Sequence, residues 1–173
     1  YTGTVEPRRN IYGEILASGI NIIPPLTSGS TNEFLNQVLA VAGHECNQLG
    51  TVYFNRAAIG TISSVTGTDN DGKVTTGIYN EKAWVRRYTG TDTQSVDYKL
   101  ATAFPSQWTS AHAGKGVAYI ALTFKYDEEV YKTGKPEITC LVQGKKVYDP
   151  RLDSTRTGAR GAQLVTDPST NTN

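Results

Sequence analysis

The chain has 173 residues, of which 38% are hydrophobic and 19% are charged, as in an ordinary globular protein with one core. Its 17 basic and 16 acidic side chains leave a net charge of +1, which argues against specific recognition of nucleic acid through its phosphates. No apolar run reaches the length of about 20 residues that crosses a bilayer, so we predict no membrane span. The sequence contains no Met, and we expect it to be a fragment of a longer chain or a processed product.

The first thirty residues alternate short apolar runs with breakers. Ile11–Leu16 and Gly19–Ile23 are predicted to be short strands that turn sharply at glycine. Pro24 and Pro25 stop regular structure, and Thr27–Asn32 has the composition of a linker. We therefore predict residues 1–30 to be an extended lead-in or the edge of a neighbouring domain, residues 31–165 to be a β-rich domain, and residues 166–173 to be a polar tail.

The next segment mixes one ambiguous element with one clear strand. Phe34–Ala42 fits a helical stripe and, less completely, a strand face, so both alternatives stay open. Leu49–Asn55 is predicted to be a strand, because it is rich in β-forming residues between Gly50 and Asn55. Asp71-Gly72 suits a tight turn within the polar loop Thr66–Lys73.

A strand and a helix are predicted in the middle of the chain. Lys82–Tyr88 alternates as a strand, with Trp84 and Arg86 on one face and Val85 and Arg87 on the other. The spacing of apolar residues in Gln94–Ala103 predicts a helix that ends before Pro105.

The stretch Gly116–Arg151 forms the predicted centre of the fold. Val117–Tyr126 and Ile138–Val142 alternate with a period of two, and a short third run, Lys145–Tyr148, follows Gly144. We predict a strand, a loop and a hairpin that turns at Gln143-Gly144-Lys145. The fold class is therefore mainly β, a sandwich or barrel-like domain with one or two short helices, with α+β as the alternative. The expected core residues are Leu39, Val41, Val52, Phe54, Ala118, Ile120, Leu122, Phe124, Leu141 and Val147.

The two cysteines, Cys46 and Cys140, each lie beside strand-like apolar residues. A disulfide between them would close a long loop, but spacing alone does not place their Cα atoms at bridging distance. We favour two free thiols, which behave as small apolar groups when they are buried.

Three patterns that carry chemistry in other proteins are incomplete here. His44-Glu45 resembles half of a helical zinc site, but Gln48 stands where the second His is needed, and His112 is the only other His. A Cys46 nucleophile would need His44 or His112 within hydrogen-bond reach and a third group that orients the imidazole.

The segment Asp69–Gly72 resembles the middle of a calcium loop, but Gly67 and Ile78 occupy the first and last ligand positions. The site is therefore interpreted as a turn. We predict no catalytic, cofactor-binding or metal-binding residue, no cofactor and no enzymatic activity. Trp84 and Trp108 are possible partner-contact aromatics, although aromatic side chains more often fill sheet faces.

Several segments, kept in order, resemble one family. The chain is similar to the central tail-tip protein of bacteriophages with long, non-contractile tails, the tip attachment or host-specificity family. The segments that carry the resemblance are Arg9–Gly13, Leu39–Asn55, Tyr88–Gln94, Trp108–His112, Gly116–Tyr126, Gly134–Arg151 and Thr166–Asn173. Lys135-Pro136-Glu137 departs from the family pattern, in which a Gly-Ile-Pro-like sequence is expected.

The resemblance implies an internal hub-region domain of a structural virion protein that links the tail tube to host attachment and DNA ejection. Such a protein would be made in the host cytoplasm and assembled in the virion as a trimer, beside other tail-tip proteins. A host surface receptor is a further possible partner. The residues carried over are structural: His44 and Glu45, and Tyr148, Asp149, Pro150 and Arg151, with Pro150 fixing a turn and its charged neighbours hydrogen-bonding nearby backbone.

One alternative function stays open, a stand-alone glycan- or receptor-binding β-sandwich that uses Trp84 and Trp108. If the chain is an insertion into a parent domain, its two ends should lie close together.

Overall fold

A computed structural model of the chain describes residues 7–68, 70–149 and 151. These residues form two antiparallel sheets, one short α-helix and a 3-10 turn at Ser110–His112. The strands are β1 (Glu14–Ala17), β2 (Ile20–Asn21), β3 (Leu26–Ser28), β4 (Phe34–Ala42), β5 (Gln48–Phe54), β6 (Ala57–Ala58), β7 (Ala83–Tyr88), β8 (Ala118–Lys125) and β9 (Ile138–Gln143), and the helix is α1 (Tyr98–Ala103).

The four-stranded sheet has the order β1-β9-β5-β6. The five-stranded sheet has the order β2-β4-β8-β7, and β3 pairs with the same edge of β4 as β2 does. The predicted strands at the start of the chain thus extend both sheets as edge strands. The domain boundary near residue 30 stays a prediction.

The two sheets pack face to face around one apolar core. Strand β8 shows how the alternation builds it: Ile120, Leu122 and Phe124 point toward the four-stranded sheet, while Tyr119 and Ala121 point away from it. The rings of Phe54 and Phe124, one from each sheet, lie 5.6 Å apart between centroids. The molecule is therefore a β-sandwich, and the predicted mainly β fold class is confirmed.

A third layer covers the outer face of the five-stranded sheet. Residues 89–117, which connect β7 to β8, carry α1 and the 3-10 turn across this face and are called the flap below. Leu100 and Trp108 of the flap form a second buried cluster with Val38, Tyr119 and Ala121 of the sheet.

Several sequence predictions need correction or refinement. Phe34–Ala42 is a strand, because both of its faces are buried, one by each apolar cluster. The helix predicted from Gln94 begins only at Tyr98, after the N-cap Asp97. Eight of the ten expected core residues lie in the core between the sheets, but Leu141 faces outward and is half-buried, and Val147 is 40% exposed.

The predicted hairpin at Gln143-Gly144-Lys145 is wrong. Gly144 donates its N–H to the carbonyl of Gly13, and Lys145 donates to the carbonyl of Ile11, so the chain continues along the first segment instead of turning back onto β9. A Cβ at Gly144 would overlap the carbonyl oxygen of Ile11, so glycine is needed for close approach and not for a turn.

Candidate interaction groove

Four separate segments meet at one end of the sandwich and line an open groove of about 650 Å³. They are the loop between β4 and β5, the two ends of the flap, and the residues after β9. The lining residues are His44, Glu45, Cys46, Asn47, Thr89, Gly90, Thr91, Asp92, Gly116, Lys145 and Lys146.

Backbone hydrogen bonds hold these segments together. The N–H of Cys46 donates to the carbonyl of Thr89 at 2.8 Å, which joins the β4–β5 loop to the flap. The N–H of Asn47 donates to the carbonyl of Gly144 at 2.9 Å, which joins the same loop to the segment after β9. Main-chain bonds therefore join the groove walls directly to one another.

His44 ties the first described segment to the groove. Its Nε2 accepts the N–H of Ile11 at 2.8 Å, and its Nδ1 lies 2.7 Å from the carbonyl oxygen of Glu45. Because Nε2 accepts, the proton sits on Nδ1 and is donated to that carbonyl. Both ring nitrogens are thus committed to backbone partners, and the structure gives His44 an architectural role in the loop.

Cys46 does not have the environment of a nucleophile. Burial, followed by the charge of Glu45, raises the pKa of its thiol to about 11, so the thiol is protonated at neutral pH. Its Sγ lies 4.0 Å from the carbonyl oxygen of His44, and not against an imidazole nitrogen. Cys140, also a free and buried thiol, has its pKa raised to about 12, mainly by burial.

His112, the other candidate partner of Cys46, belongs to the 3-10 turn of the flap. Its Nδ1 accepts the N–H of Thr109 at 3.0 Å, and its ring stacks on Trp108 with 5.2 Å between centroids. Among the described residues, no group of three or more His, Cys, Asp or Glu side chains is placed to hold a metal ion.

Four charged side chains of both signs line the groove. Glu45 and Asp92 are acidic, and Lys145 and Lys146 are basic. None of the four makes a side-chain hydrogen bond or an ion pair within residues 7–68, 70–149 and 151. They are available to a partner that carries complementary charges.

The motif that follows the groove is held by its own charges. The carboxylate of Asp149 accepts from the backbone N–H of Arg151 at 2.9 Å and from Nη2 of the same residue at 2.6 Å. These bonds, the side-chain ones first, lower the pKa of Asp149 to about 2. Tyr148 is half-buried, and Pro150 lies outside the described residues, as does Thr166–Asn173. The predicted turn at Pro150 stays a prediction.

The two tryptophans are mostly hidden from solvent. Trp84 is 8% exposed on the outer face of the five-stranded sheet, and Trp108 is 5% exposed in the flap cluster. Nζ of Lys99 lies 5.0 Å from the ring centroid of Trp84 and covers it further. Neither ring offers a flat, open face for stacking on a sugar, so the structure gives the glycan-binding alternative no support.

Sequence reasoning missed the only ion pair in the described residues that is fully buried. Nε of Arg86 donates to Oδ2 of Asp97 at 2.6 Å, and both side chains are 0% exposed. Oδ1 of Asp97 also accepts the N–H of Leu100 at 2.8 Å, the N-cap bond of α1. One signal in the sequence could have indicated part of this arrangement. Asp is favoured at N-caps, and Asp97 lies three residues before Leu100, an apolar position of the predicted helix.

Most of the segments that resemble the tail-tip family lie at or behind the groove. Four of the resembling segments, Leu39–Asn55, Tyr88–Gln94, Gly116–Tyr126 and Gly134–Arg151, contribute lining residues. Arg9–Gly13 backs the groove through the bonds from Ile11 to His44 and Lys145. Trp108–His112 lies in the flap. Within the described residues, no helix is long and apolar enough to span a membrane.

Comparison with solved structures identifies similar folds, one of which is described here. No protein-family model matches the chain, and no curated protein matches it. The structure is similar to one chain of the solved virion of a native gene transfer agent (GTA) particle, with a TM-score of 0.51 and 20% sequence identity. The match covers 95% of the present chain but only 34% of the chain in that particle. The present chain therefore shares its fold with about a third of a longer virion protein.

Proposed function

We propose that the chain is a structural, non-enzymatic component of a bacteriophage virion, a hub-region domain of the tail-tip protein that links the tail tube to host attachment and DNA ejection. The observation that carries the proposal is the convergence of resembling segments, which are distant in sequence, on one groove. The shared fold with part of a longer chain in a gene transfer agent virion supports a virion role.

The partners proposed are other copies of the same protein, as a homotrimer, and neighbouring tail-tip proteins. We assign these contacts to the groove, because its charged side chains of both signs are unpaired in the described residues and the walls behind them are fixed by backbone bonds. A partner with complementary charges would gain ion pairs there without reshaping the loop. Contact with a host receptor would fall to other parts of the longer protein.

The location can be tested on particles of the phage that encodes the chain. Gold-labelled antibody against this domain should mark the distal end of the tail in electron micrographs of purified virions. Label on the capsid, or absence of the protein from purified virions, would overturn the proposal.

The groove can be tested by charge reversal. The double variant Lys145→Glu with Lys146→Glu should lower the yield of infectious particles, since like charges would then face acidic partner groups. The matched control is Lys132→Glu, an exposed charge in the connection between β8 and β9 at the other end of the sandwich, which should leave the yield unchanged. Equal losses in both variants would count against the groove as the contact surface.

A further inference from the structure

The flap closes on itself at its two ends. Gly116 donates its N–H to the carbonyl of Gly90 at 2.9 Å, directly beside the points where β7 ends and β8 begins. The side chain of Gln94 adds to this neck by accepting from the N–H of Gly90 at 2.7 Å and donating to the carbonyl of Ala113 at 2.7 Å. These bonds are internal to the flap, so they do not need the sheet beneath it.

The flap is held to the sheet by a cluster separate from the main core. Leu100 and Trp108 pack on Val38, Tyr119 and Ala121, whereas the core between the two sheets draws on the opposite faces of β4 and β8. Loss of the flap contacts would leave every contact between the two sheets in place. The fold therefore has two cohesive units joined through the neck.

Buried polar atoms without a partner are concentrated in the flap layer. Within the described part of the chain, five buried side-chain nitrogen or oxygen atoms make no hydrogen bond, and four of them lie in this layer. They are Nη1 of Arg86, Nε1 of Trp84, Nε1 of Trp108 and the hydroxyl of Tyr119. Each buried and unsatisfied group disfavours the closed state by roughly tenfold in the equilibrium constant, because it would be hydrated on opening.

The neck has backbone conformations that few residues other than glycine adopt. Gly90 has a φ of 90° and Gly116 a φ of 72°. A Cβ at Gly90 would lie 2.9 Å from the carbonyl carbon of Val117, so that position also has no room for a side chain. Two glycines at the ends of one excursion make a natural pair of hinge positions.

We propose that residues 89–117 form a flap that hinges at the Gly90–Gly116 neck and unfolds locally as one unit, so that its internal hydrogen bonds open while the two-sheet core stays folded. Asp97 is its latch, since it accepts from Nε of Arg86 and from the hydroxyl of Tyr88 and also caps α1. Opening releases the latch and uncovers Arg86 among the apolar side chains of the sheet. This device is independent of the proposed place in a phage tail.

Hydrogen exchange followed by mass spectrometry tests the proposal on the chain of 173 residues. The flap amides of Ala101, Phe104 and Trp108, all hydrogen-bonded within the flap, should exchange about a hundredfold faster than the amides of β4 and β8. Exchange of both sets at the same rate would mean that the molecule opens only as a whole, and the proposal would fail.

Two variants sharpen the test. Tyr119→Phe removes one unsatisfied hydroxyl and should slow flap exchange about tenfold with the sheets unchanged. Gly116→Ala strains the neck without a steric clash and should speed flap exchange alone. Gly134→Ala is the matched control, since it has a similar φ of 88° and equally open surroundings outside the flap. If Gly116→Ala and Gly134→Ala affect flap and sheets alike, the neck is no hinge.

Discussion

The two faces of the five-stranded sheet are stabilised in different ways. The inner face packs on the other sheet through apolar side chains such as Leu122 and Phe124, and its cluster contains no ion pair among the described residues. The outer face buries Asn36, Thr123 and Arg86 in one row under the flap. Burial of apolar area holds the first layer, whereas the second combines a smaller apolar cluster with buried polar side chains that need their partners in place. The comparison predicts that truncating a side chain lowers the free energy of unfolding by different amounts on the two faces.

The largest effect is expected from the inner layer. Phe54→Ala should lower the free energy of unfolding by about 3–5 kcal/mol, because it removes a fully buried ring that contacts Tyr79 and Phe124. Urea denaturation measures this loss, which should appear as one shift of the whole transition. Tyr126→Ala, at a side chain 72% exposed, is the control and should change the free energy by less than about 0.5 kcal/mol. A loss below about 1 kcal/mol for Phe54→Ala would contradict the assignment of the main core.

The next effect comes from the buried latch. Asp97→Ala leaves Arg86 buried without its carboxylate and removes the N-cap bond to Leu100, and breaking a buried pair costs about 3–5 kcal/mol. We expect the low end, about 3 kcal/mol, because the flap can lift and let the guanidinium reach water. Far- and near-ultraviolet circular dichroism in urea would resolve flap loss from sheet loss. Lys73→Ala, which breaks the partly exposed pair with Glu81, should cost no more than about 1 kcal/mol. Equal losses of stability in Asp97→Ala and Lys73→Ala would contradict the difference expected between the buried and the exposed pair.

A smaller effect depends on pH. The carboxylate of Asp71 is buried, and desolvation acts to raise its pKa. Hydrogen bonds from the backbone of Thr66, Thr68 and Gly67 outweigh desolvation, so the pKa of Asp71 is lowered. A lowered pKa in the folded state means that the stabilisation is complete above about pH 4 and is lost as the pH falls through the folded value. Asp71→Asn should therefore be less stable than the parent by about 1.5 kcal/mol at neutral pH, with the gap closing in acid.

Denaturation midpoints measured from pH 7 to pH 2 provide the test of Asp71. Asp92→Asn, at an exposed carboxylate that makes no side-chain hydrogen bond or ion pair within the described residues, is the control and should leave the free energy of unfolding at neutral pH unchanged. A gap for Asp71→Asn that stays constant down to pH 2 would show that the charge of Asp71 does not stabilise the loop.

The smallest effect concerns the groove. His44→Ala removes the acceptor of the Ile11 N–H and should cost about 1 kcal/mol, whereas His44→Gln keeps an acceptor near the Nε2 position and should cost less. Amide exchange at Ile11 reports on this bond directly. Equal protection of that amide in the parent and in His44→Ala would show that the imidazole does not hold the first segment.

The alternation of side chains predicted which residues of β7 and β8 share a face. For β8 the expected core residues also identified the inner face, because a strand with one strongly apolar face has only one register that buries it. Strand β9 defeated the same argument at Leu141, since both of its faces carry apolar side chains and the choice depends on which face meets the other sheet. The local sequence around Gly144 indicated a turn. It could not show the contact with Ile11 that requires the glycine, because the two positions lie far apart in sequence. The groove and the Arg86–Asp97 pair depend on such long-range contacts as well, so local pattern could not supply them.

The antiparallel bonds from Gly144 to Gly13 and from Lys145 to Ile11, which continue the pairing of β1 with β9, also have a mechanical consequence. The segments Arg9–Gly13 and Gly144–Val147 run side by side, so tension applied between Arg9 and Val147 would load these hydrogen bonds one after another, as in a zipper, and not all together in shear. Sequential rupture takes little force, which makes this edge the first part to yield in a single-molecule pulling experiment. The sandwich behind it would stay folded until the ladder of β1 and β9 had separated.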